Sequence, residues 1–83
     1  MATEHLIKKY ANRRLYDTTQ SGHVTVDDLF DLIVAGDTIR VIDDKSGEDI
    51  TRPVLLQVIA EQESHGGQPI LSTGLLQNLI RFY

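Results

Sequence analysis

The chain has no cysteine, which excludes disulfide bonds and thiolate metal sites from its 83 residues. It also lacks an apolar run long enough to span a membrane. The first residues, Met1 to His5, contain no basic segment followed by an apolar one, so they do not form a signal peptide. These absences favour a soluble, cytoplasmic protein without a membrane partner.

Motifs of catalysis are missing as well. Ser21-Gly22 and Ser46-Gly47 read as turns, because the Gly-x-Ser-x-Gly frame of a nucleophile elbow is absent. Gly66-Gly67 reads as a linker, because no strand leads into a phosphate-binding loop there. We therefore expect neither an enzyme nor a cofactor.

Metal ligands are not suggested by the remaining polar residues. The acidic turn at 43–49 lacks the alternating spacing of a calcium loop, which favours polar turn chemistry over a metal site. The histidines have no partner at metal-binding spacing, and we expect each of them on the surface: His5, His23 and His65.

Positive charge is scarce and concentrated. The chain carries eight Lys and Arg against twelve Asp and Glu, yet four of the eight lie within residues 6–17. Cations there could neutralise phosphates, paired arginines and an asparagine could read base edges, and tyrosines could stack on bases or pack in the core. The candidate DNA contacts are Lys8, Lys9, Tyr10, Asn12, Arg13, Arg14 and Tyr16. A solvated edge strand or a different anionic partner remains an alternative.

Periodicity predicts an α+β domain with two short β-hairpins and three helices. Extended segments at 6–10 and 13–17, with a bend at Ala11-Asn12, precede a return strand at 23–25. A first helix follows, with Thr25 as N-cap and Gly36 after its end. A second hairpin at 39–50 leads to a second helix that Thr51 would cap.

A third helix is predicted at about 72–83, capped by Ser72 or Thr73. Its apolar positions form a wide stripe, which could be core, a dimer interface or a site for an apolar ligand. These positions are Leu75, Leu76, Leu79, Ile80 and Phe82. Because so small a domain has a marginal core, we expect a homo-oligomer assembled through this helix.

Four stretches resemble one known family, the N-terminal domain of the polyhydroxyalkanoate synthesis repressors. They are IKKYANRRLYDT at 7–18, HVTVDDL at 23–29, GEDITR at 47–52 and LIRFY at 79–83. The resemblance implies a bacterial DNA-binding repressor of polyhydroxyalkanoate granule genes, phasins included. It also implies that the polymer releases the repressor from double-stranded DNA, and that the protein can reside at the granule surface.

The resemblance further implies that residues 1–83 are the N-terminal domain of a longer protein. Its parts are hairpin-and-helix units at 6–36 and 39–65, followed by the C-terminal helix. The rival hypothesis is an oligomerisation or granule-surface module without its own DNA binding. Polymer binding could lie in these residues or in a C-terminal region beyond them.

Overall fold

The computed structural model describes residues 2–65 and 69–83, and within them four strands and three helices are formed. Strands β1, β2 and β3 come first, followed by helix α1, strand β4, and helices α2 and α3. Their bounds are Glu4–Lys9 (β1), Leu15–Asp17 (β2), Gly22–Val24 (β3), Val26–Val34 (α1), Thr38–Asp43 (β4), Thr51–Ser64 (α2) and Thr73–Arg81 (α3). The predicted α+β class and the three helices are confirmed.

The four strands form one sheet in the order β3-β2-β1-β4. Neighbours β1 and β2 are antiparallel, as are β2 and β3, whereas β1 and β4 are parallel. The parallel pair arises because α1 carries the chain across the sheet, and a crossover of this kind returns a strand in the same direction. The predicted second hairpin is reduced to β4 and a single bridge between Ile42 and Asp49.

Helices α1 and α2 cover one face of the sheet. Alternation along the strands directs Ile7, Leu15 and Val41 towards Leu29 of α1 and Val54 of α2, and all five side chains are buried. The opposite face, which we call the outer face, carries the alternate residues. Register pairs Lys8 with Tyr16 and Tyr16 with His23 across this face. In residues 2–65 and 69–83, no helix packs against it.

Capping explains where α1 begins and ends. The Thr25 hydroxyl accepts a bond from the Asp28 backbone N–H, and the Asp28 carboxylate accepts one from the Thr25 backbone N–H. Gly36 follows the helix with φ of 103°, a backbone conformation that side chains disfavour. Both predictions for this helix are confirmed.

Thr51 does not cap α2, so that prediction was wrong. Ile50 occupies the N-cap position and makes no side-chain capping bond. The Thr51 hydroxyl instead accepts a bond from the Val41 backbone N–H at 2.8 Å and lies 2.6 Å from a carboxylate oxygen of Asp49. Because that hydroxyl is used by the sheet, Thr51 ties the start of α2 to β4 rather than closing the helix.

His5 is buried, which corrects the expectation of a surface side chain. Only 2% of it is exposed, and its two ring nitrogens lie 2.8 Å from Asp17 and 2.9 Å from Asp37. The hydrogen bond to Asp37 raises the pKa of His5, burial opposes that rise, and the bond to Asp17 adds to it. The cluster joins β1, the end of β2 and the loop after α1.

The apolar stripes predicted for α1 and α2 are only half buried. Leu29, Val54 and Val58 reach the core, but Val34 is 68% exposed and Ile59 is 46% exposed. The sheet covers only part of each apolar stripe, so the remaining apolar side chains are exposed on the outside of the helix pair. No helix of the described residues is long and apolar enough to cross a membrane.

Candidate nucleic-acid interface

The basic segment folds into a tight β-hairpin whose loop is Ala11-Asn12-Arg13. The Tyr10 N–H donates to the Arg14 carbonyl at 2.8 Å, and the Arg13 N–H donates to the Tyr10 carbonyl at 3.1 Å. Arg13 has φ of 60°. Three-residue hairpin loops commonly place their last residue in this left-handed region, where glycine would be the unstrained choice. The predicted bend at Ala11-Asn12 is therefore a complete turn.

The hairpin tip, residues 10–14, extends beyond the rest of the sheet. Pairing of β1 with β4 ends at Lys9 and Asp43, and pairing of β2 with β3 ends at Leu15 and Val24. Four strands spaced by about 4.8 Å set the outer strand axes about 14 Å apart. A two-stranded tip is roughly a third as wide as that body.

The tip carries two exposed cations. Arg13 and Arg14 are exposed, and no acidic partner lies within ion-pair distance of either in the part of the chain that the structure describes. Lys8, lower on the hairpin, lies 3.8 Å from Asp44, and both side chains are about two-fifths exposed. A solvated pair at that distance contributes little.

The predicted contacts do not all share one face. Lys8 and Tyr16 are cross-strand partners on the outer face, whereas Lys9 and Leu15 are partners on the helix-covered face. Lys9 there lines a depression of about 300 Å³ together with Arg13, Val26, Val54 and Gln57. The structure therefore groups Tyr10 and Asn12 with the two arginines at the tip and separates the two lysines.

His23 is a neighbour that the sequence did not reveal. Its ring meets Tyr16 edge-on, with centroids 5.3 Å apart and planes at 80°. A shallow depression with a volume of about 520 Å³ runs from Arg13 and Arg14 past His23 to the start of α1. The predicted return strand at 23–25 indicated that these two strands are neighbours, but the register that pairs Tyr16 with His23 became known only from the structure.

The acidic turn after β4 uses its carboxylates for local bonds. The Asp43 carboxylate accepts the Ser46 backbone N–H at 2.8 Å, and this bond is the main reason that the pKa of Asp43 is lowered. Asp49 accepts from the Thr51 hydroxyl and N–H, which lower its pKa in the same way. No group of three or more potential ligands is placed to hold a metal ion in residues 2–65 and 69–83.

Helix α3 presents a different kind of surface. Its five predicted apolar residues are all exposed, from 41% for Leu75 and Leu76 to 86% for Phe82. The Ser72 hydroxyl caps the helix by accepting the Leu75 backbone N–H at 3.1 Å. Within the described residues α3 contacts no other helix or strand, so the stripe is not part of this domain's core.

Comparison with protein families concerns most of the chain and does not single out the hairpin. The family model described as the PHB/PHA accumulation regulator DNA-binding domain matches residues 6–66, from β1 through α2. The chain belongs to this family. The resemblance noted from the sequence is thereby confirmed. The family is one of DNA-binding regulatory domains, which are not a class of enzymes. Helix α3 lies beyond the matched residues.

Two relatives of this regulator domain align with the whole chain. A protein of Allochromatium vinosum is 49% identical over 83 residues, which are 54% of its own length. A Thiocystis violacea protein, named for its place in the phbA 5′ region, is 43% identical over 83 residues, or 59% of its length. The chain therefore spans little more than half of these relatives. No solved structure matches it.

Proposed function

We propose that the hairpin tip enters the major groove of double-stranded DNA. The observation that supports this proposal is a two-stranded projection with two exposed arginines on a domain of net charge −4. The major groove is about 12 Å wide and admits a two-stranded ribbon. A four-stranded body about 14 Å across, before side chains are counted, is too wide to lie flat in that groove. Only the tip can reach base edges.

Each candidate residue then has a role set by its position. Arg13 and Arg14 contact guanine edges or phosphates, and Asn12 at the turn contacts an adenine edge. Tyr10 and Tyr16 pack against the sugar-phosphate backbone. Lys8 and Lys9, on opposite faces of the hairpin, reach the phosphates of the two strands that border the groove. The acidic remainder of the chain repels DNA and orients the approach.

The biological role we propose is repression of polyhydroxyalkanoate granule genes, phasin genes among them, in the bacterial cytoplasm. The family's description concerns PHB/PHA accumulation, and one relative is named for a position upstream of phbA. Binding of the polymer would release the protein from DNA and bring it to the granule surface. The apolar stripe of α3 supports a hydrophobic partner of some kind.

We further propose that the chain is a homo-oligomer assembled through α3. An 83-residue domain has a marginal core, and five exposed apolar residues on one short helix are costly in water. A symmetric dimer would present two hairpin tips to a repeated or palindromic site. Residues 1–83 would act as the N-terminal domain of the full-length protein.

The alternative is an oligomerisation or granule-surface module that does not bind DNA by itself. The exposed stripe of α3 is the observation that favours it. Such a module would lose its partner when Leu76 or Phe82 becomes polar, and it would be nearly indifferent to salt. A DNA-binding domain behaves in the opposite way.

Fluorescence anisotropy on a phasin-promoter duplex, measured across salt concentrations beside a scrambled duplex, tests the proposal. Replacing Arg13 with Gly and Arg14 with Ala should weaken binding and lower the log–log salt slope by about 2, one unit for each lost phosphate contact. Arg52→Ala, which removes an exposed cation outside the hairpin, should leave the slope unchanged. If the folded wild-type chain binds neither duplex at low salt, the module hypothesis replaces the DNA proposal.

A further inference from the structure

A groove on the outside of the helix pair is left uncovered by residues 2–65 and 69–83. It has a volume of about 310 Å³, and every side chain that lines it is apolar. Three of them come from α1 and three from α2: Phe30, Ile33, Val34, Leu55, Val58 and Ile59. Val58 reaches the core, and the other five lining residues are partly exposed members of the two amphipathic stripes.

Helix α3 is a second unpartnered apolar surface in the same molecule. Its start is fixed at the end of α2, where one carboxylate oxygen of Glu63 accepts the backbone N–H groups of Ile70 and Leu71, each at 3.1 Å. From there α3 contacts neither α1 nor α2 within the described residues. One chain thus contains an apolar groove and an apolar helix that do not meet.

We propose that α3 of one copy occupies the α1/α2 groove of a second copy, and that the exchange is reciprocal. This inference rests on the proposal that α3 mediates assembly, and it adds the surface that receives the helix. Each copy offers one helix and one groove, so a two-fold dimer covers both apolar surfaces. A polymer or an unrelated protein bound to one of them would leave the other in water.

The dimensions fit this occupant. A 150 Å³ cavity holds a benzene ring, so a groove of about 310 Å³ has room for roughly two or three leucine side chains. Leu75, Leu76 and Leu79 lie within little more than one turn of α3. The lining residues span about one turn of α1, from Phe30 to Val34, and one turn of α2, from Leu55 to Ile59.

The buried area is also sufficient. Partly exposed side chains of this size leave on the order of 80 to 100 Å² each in water. Full cover of eight such side chains, the three leucines of α3 and the five lining residues other than Val58, removes roughly 640 to 800 Å² per helix, and the reciprocal pair about 1,300 to 1,600 Å², within the range of specific interfaces. A dimer joined by α3 pairing with α3 alone would leave both grooves exposed.

Complementation between two variants tests the exchange by sedimentation. Leu79→Glu should damage the helix and Ile59→Glu the groove, each raising the dimer Kd by roughly 30-fold or more. An equal mixture should form a heterodimer, because the intact helix of the Ile59→Glu chain fits the intact groove of the Leu79→Glu chain. Leu56→Glu, on α2 and 64% exposed but outside the groove lining, is the matched control and should remain dimeric.

The other outcomes separate the two proposals. If Leu79→Glu dissociates the dimer and Ile59→Glu does not, α3 mediates assembly but the groove does not receive it. Failure of the mixture to associate, with both variants showing wild-type circular dichroism, overturns the exchange. A monomeric wild type overturns both the exchange and assembly through α3, while the anisotropy experiment on DNA still decides the hairpin's role.

Cysteine cross-linking gives a second readout that does not depend on disrupting packing. Because the chain has no native cysteine, Ile59→Cys and Leu79→Cys can be combined in a chain without background thiols. Oxidation should give a covalent dimer on a non-reducing gel. A monomer with the disulfide inside one chain would show instead that α3 folds back onto its own groove. Leu56→Cys with Leu79→Cys should not cross-link.

Discussion

Replacing His5 with Gln should remove the charge that holds three segments of the fold together. The imidazole ring lies between two carboxylates, 2.8 Å from Asp17 and 2.9 Å from Asp37. With a carboxylate at each ring nitrogen, both nitrogens donate only when the ring is an imidazolium. The Asp17 side chain is fully buried, and its other oxygen already accepts the backbone N–H groups of Thr19 and Gln20. The substitution leaves that buried carboxylate without its counter-charge.

The expected loss is large for a chain of this size. Removing one partner of a buried ion pair costs about 3 to 5 kcal/mol. Glutamine can still donate one hydrogen bond, so we expect the lower end, about 3 kcal/mol. A domain of 83 residues has a total stability of roughly 4 to 12 kcal/mol. Because 1 kcal/mol corresponds to about 4 to 8 °C in a domain this small, the Tm should fall by roughly 12 to 24 °C.

The pH dependence provides the sharper signature. The pKa of His5 is raised above its ordinary value of 6.5 by the folded state, chiefly through Asp37. Its contribution to stability is therefore complete below pH 6.5 and is lost as the pH rises through the raised pKa. The pKa of Asp37 is lowered from 3.8, first by the bond to His5 and then by the Thr3 N–H. The contribution of Asp37 is present above pH 3.8 and is lost in stronger acid.

Thermal unfolding followed by circular dichroism from pH 4 to pH 9 measures both effects. The wild type should be most stable between about pH 4 and 6.5 and should lose Tm towards pH 9, and His5→Gln should lack the alkaline loss. His23→Gln removes an exposed histidine from the outer face and is the matched control. A His5→Gln protein that melts within 3 °C of wild type and keeps the alkaline slope would refute the reasoning.

Three further substitutions test local features. Arg13→Gly relieves a left-handed backbone, which favours folding by about 1 to 2 kcal/mol. Glycine also gives the unfolded chain more conformational freedom, which opposes folding by about 0.4 to 1 kcal/mol. The Tm should therefore stay level or rise slightly while DNA affinity falls, and a clear drop in Tm would contradict the hairpin geometry. Thr25→Ala removes the N-cap of α1 and should lower the free energy of unfolding in urea by about 1 kcal/mol. An unchanged free energy of unfolding would indicate that the Asp28 half of the capping box is sufficient. Gly36→Ala, where an added Cβ meets no atom within 4 Å, should still cost about 1 kcal/mol because φ is positive, and an unchanged urea midpoint would argue against that conformation.

Local signals in the sequence predicted the elements well where one residue controls one bond. Thr25 was expected to cap α1, and either Ser72 or Thr73 to cap α3. Thr25 and Ser72 make the capping bonds. Thr51 has the same chemistry but was predicted wrongly, because β4 lies close enough to take its hydroxyl. The outcome at Thr51 depends on a neighbour ten residues away, which no local pattern records.

Prediction was weaker where the outcome depends on which strands are neighbours. A bend at Ala11-Asn12 was predicted, but the sequence did not show that it closes a hairpin in which Lys8 pairs with Tyr16 and Lys9 with Leu15. His5 resembles His23 and His65 in the sequence, yet only His5 becomes buried against two carboxylates. Burial of that histidine needs Asp37, which is 32 residues away and is positioned by the loop after α1.

By itself, the sequence determined the α+β composition, the concentration of cations in one short segment and the family to which the chain belongs. These three features depend on residue type and on the spacing of nearby residues, which are the same in the folded and the unfolded chain. The tertiary structure alone decided which cations occupy the projecting tip and that His5 is buried between two carboxylates. It also decided that α3 and the α1/α2 groove are left uncovered by the residues that the structure describes. Each of these depends on contacts between distant segments, because burial and exposure are fixed only when the sheet and its helices are assembled.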